Sequence, residues 1–258
     1  MMNDSPLISI ITVVFNGSKT LKQTIDSVLS QNYKNIEYII IDGGSTDGTL
    51  DIIKKHEEYI TEWISEPDKG LYDAMNKGIS KANGEIIGMI NSDDWYELNT
   101  VELIVEAYRK NPEKKIFHGD IFEILENGIK CLRRFNPSKF KFLYYGMTYN
   151  HPTMFVHKDV YKIHLYNNNL KSHSDYQFVL EAFLRDRSQF NYLSIPLTNF
   201  RLGGISANGS LLTGLKQGVI VRNNVKMNFF EIFMSLILGF SIYYLFSMKK
   251  LITFKKIK

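Results

Sequence analysis

The sequence predicts an α/β protein with an open, mostly parallel central sheet flanked by helices, and a helical extension at the C-terminus. Three observations carry that expectation. Short β-rich apolar runs alternate with longer runs of helical spacing from Leu7 to about Asp94, the pattern of consecutive βαβ units. The first run, LISIITVVF (Leu7 to Phe15), is nearly continuous and β-branched, as in a strand buried on both faces. Three acidic loops, at Asp42, at Asp68 to Asp73 and at Asp93 with Asp94, each follow a predicted strand.

The elements follow in order. Asn16 and Gly17 end the first strand, and Leu21, Ile25, Val28 and Leu29 then recur at helical spacing up to Gln31. A second strand, Ile36 to Ile41, runs into Asp42 and two glycines, and Ser45, Thr46 and Asp47 are candidate caps for a helix carrying Leu50 and Ile53 inward. A third strand around Tyr59 to Ser65 precedes a loop, Glu66 to Gly70, and a helix from about Leu71 to Ala82. Glu85 to Asn91 is the fourth strand and delivers Ser92, Asp93, Asp94 and Trp95 at its carboxyl end. Beyond it come a helix from Leu98 to Lys110, a hairpin of strands at Lys115 to Glu126 and Lys130 to Phe135 turning at Asn127 and Gly128, a short strand at Met154 to His157, a helix from about Asp175 to Leu184 and a strand at Phe190 to Ile195.

A chain of 258 residues with 44% hydrophobic and 22% charged residues supports one sizeable core. Its net charge of +4, without a basic stripe interleaved with aromatics, excludes nucleic acid as the expected partner. The single cysteine, Cys131, cannot form an internal disulfide and is expected to be a buried structural thiol in a reducing compartment. No basic leader precedes the apolar run at Leu7, which argues against a secretory signal and for a cytoplasmic protein.

Ligands of open parallel sheets bind beyond the carboxyl ends of the strands, where all three acidic loops should open. Neighbouring side chains on extended backbone point different ways, so Asp93 and Asp94 can divide their labour, one facing a hard divalent cation and the other a sugar hydroxyl. Asn16, Gly17, Ser18 and Lys19 stand where a G-x-G-x-x-G fingerprint would follow the first strand, and there is no G-x-x-x-x-G-K-[ST] loop. A dinucleotide-binding dehydrogenase and a P-loop NTPase are therefore disfavoured, and a nucleotide site built on acidic side chains and a metal is left.

The succession ISIITVVFN, IIIDGGSTDGT, SEPDKGLYDAMNKGI and ANGEIIGMINSDDW resembles the family 2 glycosyltransferases, particularly those that assemble bacterial surface polysaccharides. The likeness is close over the first hundred residues and looser to about Ser206. It implies a GT-A fold, a nucleoside-diphosphate sugar donor, inverting single displacement, and Mg²⁺ or Mn²⁺. Carried onto this sequence, the resemblance puts Asp42 at the base or ribose, with the backbone near Val14 and Phe15 lining the base. It puts Lys69 and Asp73 in the next donor-facing loop, Asp93 at the ribose and Asp94 at the metal, with Asn91 where a literal D-x-D has its first aspartate. SHSDYQFVLEAF (Ser172 to Phe183) resembles the element carrying the catalytic base, which makes Asp175 the candidate, while FRLGGIS (Phe200 to Ser206) resembles a loop that could close over the diphosphate with Arg201. His151 and His173 are candidate acceptor or phosphate contacts, each with an ordinary structural role as the competing reading.

On this reading residues 1–226 form the GT-A domain, with a donor-binding half of about 1–110 and an acceptor half of about 111–226. Residues 227–258 form an apolar and basic C-terminal segment. Phe229 to Met248 is apolar except for Glu231 and a few hydroxyls, close to the roughly 20 residues that cross a bilayer. Lys249, Lys250, Lys255, Lys256 and Lys258 follow it, suited to anionic lipid at the inner face of the cell membrane; a core or oligomer-interface helix is the alternative. The expected partners are a nucleoside-diphosphate sugar, a glycan or lipid-linked acceptor and a membrane surface. Two other functions fit less well. A nucleotidyltransferase would want a basic, glycine-rich loop where only Lys19 stands, and a non-catalytic nucleotide-sugar-binding scaffold has no need of both Asp94 and Asp175.

Overall fold

The computed structural model describes residues 5–203 and 211–255, with the side chains of 212–241 and 244 in the second stretch. Its first half is β1 (Ile8–Val14), α1 (Leu21–Leu29), β2 (Ile36–Asp42), α2 (Thr49–Lys55), β3 (Glu62–Ser65), α3 (Leu71–Lys81), β4 (Ile86–Asn91), β5 (Trp95–Tyr96) and α4 (Thr100–Lys110). The second half is β6 (Ile116–Ile124), β7 (Lys130–Arg133), β8 (Phe155–His157), α5 (Lys158–Tyr161), α6 (Ser174–Arg185), β9 (Phe190–Arg201), α7 (Leu211–Asn224) and α8 (Phe229–Lys255).

The strands among the described residues form one sheet in the order β3-β2-β1-β4-β8-β6-β9-β5, with β7 beside β6. Strands β1, β2, β3, β4, β6 and β9 point the same way, while β5, β7 and β8 run against them. From β1 the chain moves outward through β2 to β3 and then returns to the other side of β1 as β4. That reversal opens a crevice between the carboxyl ends of β1 and β4. The register levels the rim, because Val14 pairs with Asp42, Asp42 with Ser65, and Val13 with Asn91.

Alternate residues of β1 divide between the two faces. Ile11 and Val13 join Ile39, Ile41 and Met89 beneath Tyr72 and Met75 of α3 and Phe178 to Leu180 of α6. Ile8, Ile10 and Val14 join Ile40 and Ile90 beneath Leu21 and Ile25 of α1 and Val101 and Ile104 of α4. Cover on both faces explains why β1, β2 and β4 read as continuous apolar runs.

Four expectations are corrected. The third strand begins at Glu62 rather than near Tyr59, because Glu57–Tyr59 form a 3₁₀ turn. β9 continues from Ile195 to Arg201, pairing on to Ile124 through bulges at Gly119 to Ile121, so Phe200 and Arg201 lie in strand rather than loop. The helix at Thr49 has Gly48, with φ of 95°, at its N-cap, and Asp47 helps from outside by accepting from the Thr49 amide. Cys131 is exposed, because β7 is a short strand paired only to β6 and all its residues face solvent. Gly204 to Ser206, the end of the expected closing loop, lie outside the described residues. Among the described residues no helix is long and apolar enough to cross a membrane.

Helix α3 seats on β1 through Gly78, where an added Cβ would stand 2.4 Å from Cγ2 of the fully buried Ile11. Alanine normally gains about 1 kcal/mol over glycine within a helix, but here the clash dominates. Gly78→Ala is expected to lower stability by roughly 1–3 kcal/mol, read as a lower urea midpoint; a midpoint unchanged or raised would show that α3 does not need this close approach.

Candidate functional site

Three loops meet at the rim, and the first two are laced together. The amide of Asn16 donates to Ser45 Oγ (2.7 Å), that of Gly17 to Thr49 Oγ1 (2.9 Å), and that of Ser18 to Asp47 Oδ2 (3.0 Å). Asn16, held at φ 51°, returns a contact by accepting from the Thr46 amide at 2.9 Å. Gly17 closes the other side, where an added Cβ would meet Ser92 Oγ at 3.1 Å.

Asp42 sits beneath this lacework and is fully buried. Its Oδ2 accepts from the amides of Gly44 (3.1 Å) and Ser45 (2.9 Å) and from the Ser65 hydroxyl (2.7 Å), and Oδ1 accepts from the Ser45 hydroxyl. Its carboxylate thus shapes the loop from below. Val14 is buried while Phe15 stands 61% exposed beside Gly43 and Asp68.

The next loop is pinned by Lys77, which reaches Glu66 (2.8 Å), Asp68 (2.5 Å) and Asp73 (3.7 Å). Although burial lowers the affinity of Lys77 for its proton, the bonds to Asp68 and Glu66 outweigh this and push its pKa up. Asp73 accepts from the backbone of Lys69 (3.1 Å) and from Asn168 (3.1 Å). Its carboxylate therefore joins the start of α3 to the segment before α6, while the Lys69 side chain is exposed. A cavity opens here, walled by Lys69, Tyr72, Asp73, Asn168 and Lys171.

At the end of β4, Asp94 is 1% exposed and Asp93 is half-buried. Oδ1 of Asp94 accepts from the Arg201 backbone amide at 3.0 Å, and Oδ2 has only a long contact to Asn91 Nδ2 at 3.5 Å. The Arg201 guanidinium turns elsewhere, lying 5.2 Å from the Trp95 ring centre and bonding to Gln23 and to the Asp93 carbonyl. No ion pair to Asp93 or Asp94 occurs among the described residues. Burial, and then the charge of Asp93, push the Asp94 pKa up to about 8; burial also raises that of Asp93.

Asp175 lies in the first turn of α6 and accepts from the Tyr72 hydroxyl at 3.1 Å. Tyr72 stacks on Tyr166 at 5.9 Å, and Tyr166 bonds to His151 Nε2 at 2.8 Å. Burial holds His151 and His173 below the usual histidine pKa, with the Asp175 charge opposing it in both, so both rings are neutral near pH 7. Asp175, Tyr72, Tyr166 and His151 form one hydrogen-bonded and stacked group from four separate segments. Nothing in the sequence marks Tyr72, Tyr166 or the Arg201 amide as part of the site. A tyrosine at a helical core position and a backbone N–H carry no distinguishing signal in sequence.

The oxygen set at β4 fits a hard divalent cation. Asn91 Oδ1 is buried with no hydrogen-bond partner, and it belongs to a residue touching the desolvated Asp94 carboxylate. No group of three or more His, Cys, Asp and Glu suited to a metal occurs among the described residues. Mg²⁺ typically takes one or two carboxylates and completes its shell with phosphate oxygens and water, which matches so sparse a set.

A mostly parallel central sheet flanked by helices in this order is the GT-A architecture, and solved glycosyltransferases share that fold. S. aureus TarS 1–349 in complex with UDP-GlcNAc superposes with a TM-score of 0.68 at 17% identity, over 86% of this chain and 68% of that one. The mannosyltransferase PcManGT of Pyrobaculum calidifontis, in complex with GDP-Man and Mn²⁺, gives 0.58 at 14% identity over 85% and 64%. Residues 9–163 match Glycosyl transferase family 2, and the chain belongs to that family. An uncharacterized glycosyltransferase of Mycobacterium tuberculosis is 34% identical over 188 residues, 71% of each chain.

A carboxyl group whose pKa is raised in the folded state from 3.8 to about 8 stabilises the fold at low pH and loses that contribution as pH rises to about 8. In EDTA, the melting temperature is therefore expected to fall between about pH 5 and pH 8 more steeply for the wild type than for Asp94→Asn. Parallel profiles for the two proteins would show that Asp94 is not the strained group.

Proposed function

We propose that the protein is an inverting, metal-dependent glycosyltransferase that moves a sugar from a nucleoside-diphosphate sugar to a hydroxyl of a glycan or lipid-linked acceptor in bacterial polysaccharide assembly. The observation that carries this reading is the desolvated Asp94 carboxylate beside the unpaired Asn91 oxygen at the switch point of the sheet.

In this reading the half of about 1–110 binds the donor. The exposed Phe15 ring and the backbone from Val14 give the base a flat wall, and Asp42 keeps the Gly43 to Ser45 loop in shape to receive the nucleoside. Asp93 serves the ribose, Asp94 with Asn91 would hold Mg²⁺ or Mn²⁺, and Lys69 offers positive charge near the diphosphate. When bound, the cation offsets the charge that collects on the departing diphosphate. The half of about 111–226 supplies the acceptor side, and the segment 227–258 keeps the enzyme at the inner face of the cell membrane.

Inversion requires the acceptor hydroxyl to lose its proton as it attacks the anomeric carbon opposite the leaving group. Asp175 takes that proton. With Oδ1 engaged by Tyr72, Oδ2 is the oxygen that receives it, while Asp73 and Asn168 brace the neighbouring wall. The neutral His151 leaves Asp175 free of a competing cation.

The test is release of nucleoside diphosphate in Mn²⁺ from a panel of UDP-, GDP- and dTDP-sugars, with and without lipid-linked acceptors. Asp94→Asn is expected to abolish metal-dependent release while leaving the circular dichroism spectrum unchanged; normal release would remove Asp94 from the metal site. Asp175→Asn should keep donor affinity near that of the wild type and slow transfer by about two orders of magnitude or more. Undiminished transfer would assign the proton to another group.

A further inference from the structure

Helix α8 presents its two faces the wrong way round for a helix at the surface of a water-soluble domain, which normally turns its large apolar residues inward. Among the described side chains its two most deeply covered residues are small, while Ile232, Leu236 and Leu238 are only partly covered. Ser235 is 5% exposed, and Gly239 lets α7 approach so closely that an added Cβ would lie 2.6 Å from Leu215 Cδ2. Its outward face is large and apolar, with Phe229, Phe233, Ile237, Phe240 and Tyr244 between 45% and 84% exposed. The spacings of four, four, three and four residues place these five on one stripe of the helix. The rings of Phe229 and Phe233 stack at 6.2 Å, so the stripe begins as a continuous aromatic surface.

From Phe229 to Met248 the only charged residue is Glu231, and the next ten residues bring five lysines and no acid. An apolar stripe followed by concentrated positive charge complements an interface that offers acyl chains and anionic headgroups together. A second copy of the chain would meet the stripe but repeat the lysines rather than neutralise them. Helix α8 also packs against α7 and against the turn at Lys141–Tyr145, so its inner face belongs to the body of the protein. Packed along one side against the body of the protein and open along the other, α8 is placed to lie in the plane of a bilayer.

We propose that the outward stripe of α8 is a lipid-docking surface on which the enzyme rests, with the five aromatic and aliphatic side chains at the headgroup boundary of an anionic leaflet. This deepens the membrane partner of the functional reading above, and it can fail while the transferase chemistry stands, because binding is measured apart from turnover.

The experiment is co-sedimentation of the full chain with phosphatidylcholine vesicles, either pure or with roughly 30 mol% phosphatidylglycerol, beside Mn²⁺-dependent diphosphate release in vesicle-free buffer. Binding to the anionic vesicles, weakened by salt and by Lys249→Gln/Lys250→Gln, is expected. Phe233→Ser/Phe240→Ser should lower the partition constant by about tenfold or more, the scale of removing two apolar side chains from the interface, with melting temperature and diphosphate release unchanged. Failure of the wild-type chain to bind anionic vesicles overturns the proposal, as does undiminished binding of the double-phenylalanine variant. A dimer in vesicle-free buffer that those substitutions dissociate, with no vesicle binding, would instead assign the stripe to contact between copies.

Discussion

The carboxylate at the centre of the crevice is oriented by one backbone amide from a distant strand. Asp94 is removed from water at the end of β4, where an isolated carboxylate is costly, and the N–H of Arg201 is its one short partner. That amide comes from the last residue of β9, 107 positions along the chain. It arrives only because β9 shifts register at Gly119 to Ile121 and pairs with the two-residue β5, setting Trp95 opposite Asn199. The motif at Asn91 to Asp94 is thus local in sequence and non-local in construction.

This division explains what could be read from the sequence. Strands β1, β2 and β4 are covered on both faces, so their apolar runs are unbroken and their acidic ends stand out. The hairpin at Asn127 and Gly128 announces itself by its turn residues. The full length of β9 was not legible, because its pairing with β6 depends on bulges and includes Pro196, a residue that usually marks a strand's edge. Cys131 was misjudged for a related reason: the apolar preference of cysteine gives no information about whether a strand is covered. Within the site, carboxylates could be nominated from loop position, but the partners that set their state could not. The Tyr72 hydroxyl reaches Asp175 across 103 residues, and in sequence Tyr72 is one more aromatic on an amphipathic helix.

Helix α3 joins the two halves. Its start carries Asp73, tied to Lys69 and Asn168, and Tyr72, tied to Asp175, while Lys77 one turn later gathers Glu66, Asp68 and Asp73. The loop that passes beside Phe15 and the first turn of α6 are therefore referenced to the same few residues, and Gly78 fixes that helix against the most buried strand of the sheet.

The lacing between the loops after β1 and β2 has a thermodynamic corollary. Four side chains, Asn16, Ser45, Asp47 and Thr49, already satisfy the amides that would otherwise wander, and Asp42 anchors the turn beneath them. A nucleoside bound beside Phe15, as proposed, would meet a template set before its arrival and forfeit little chain entropy in being gripped. Rigidity of this kind favours discrimination by shape: a ring of the wrong outline finds walls that will not remould themselves around it.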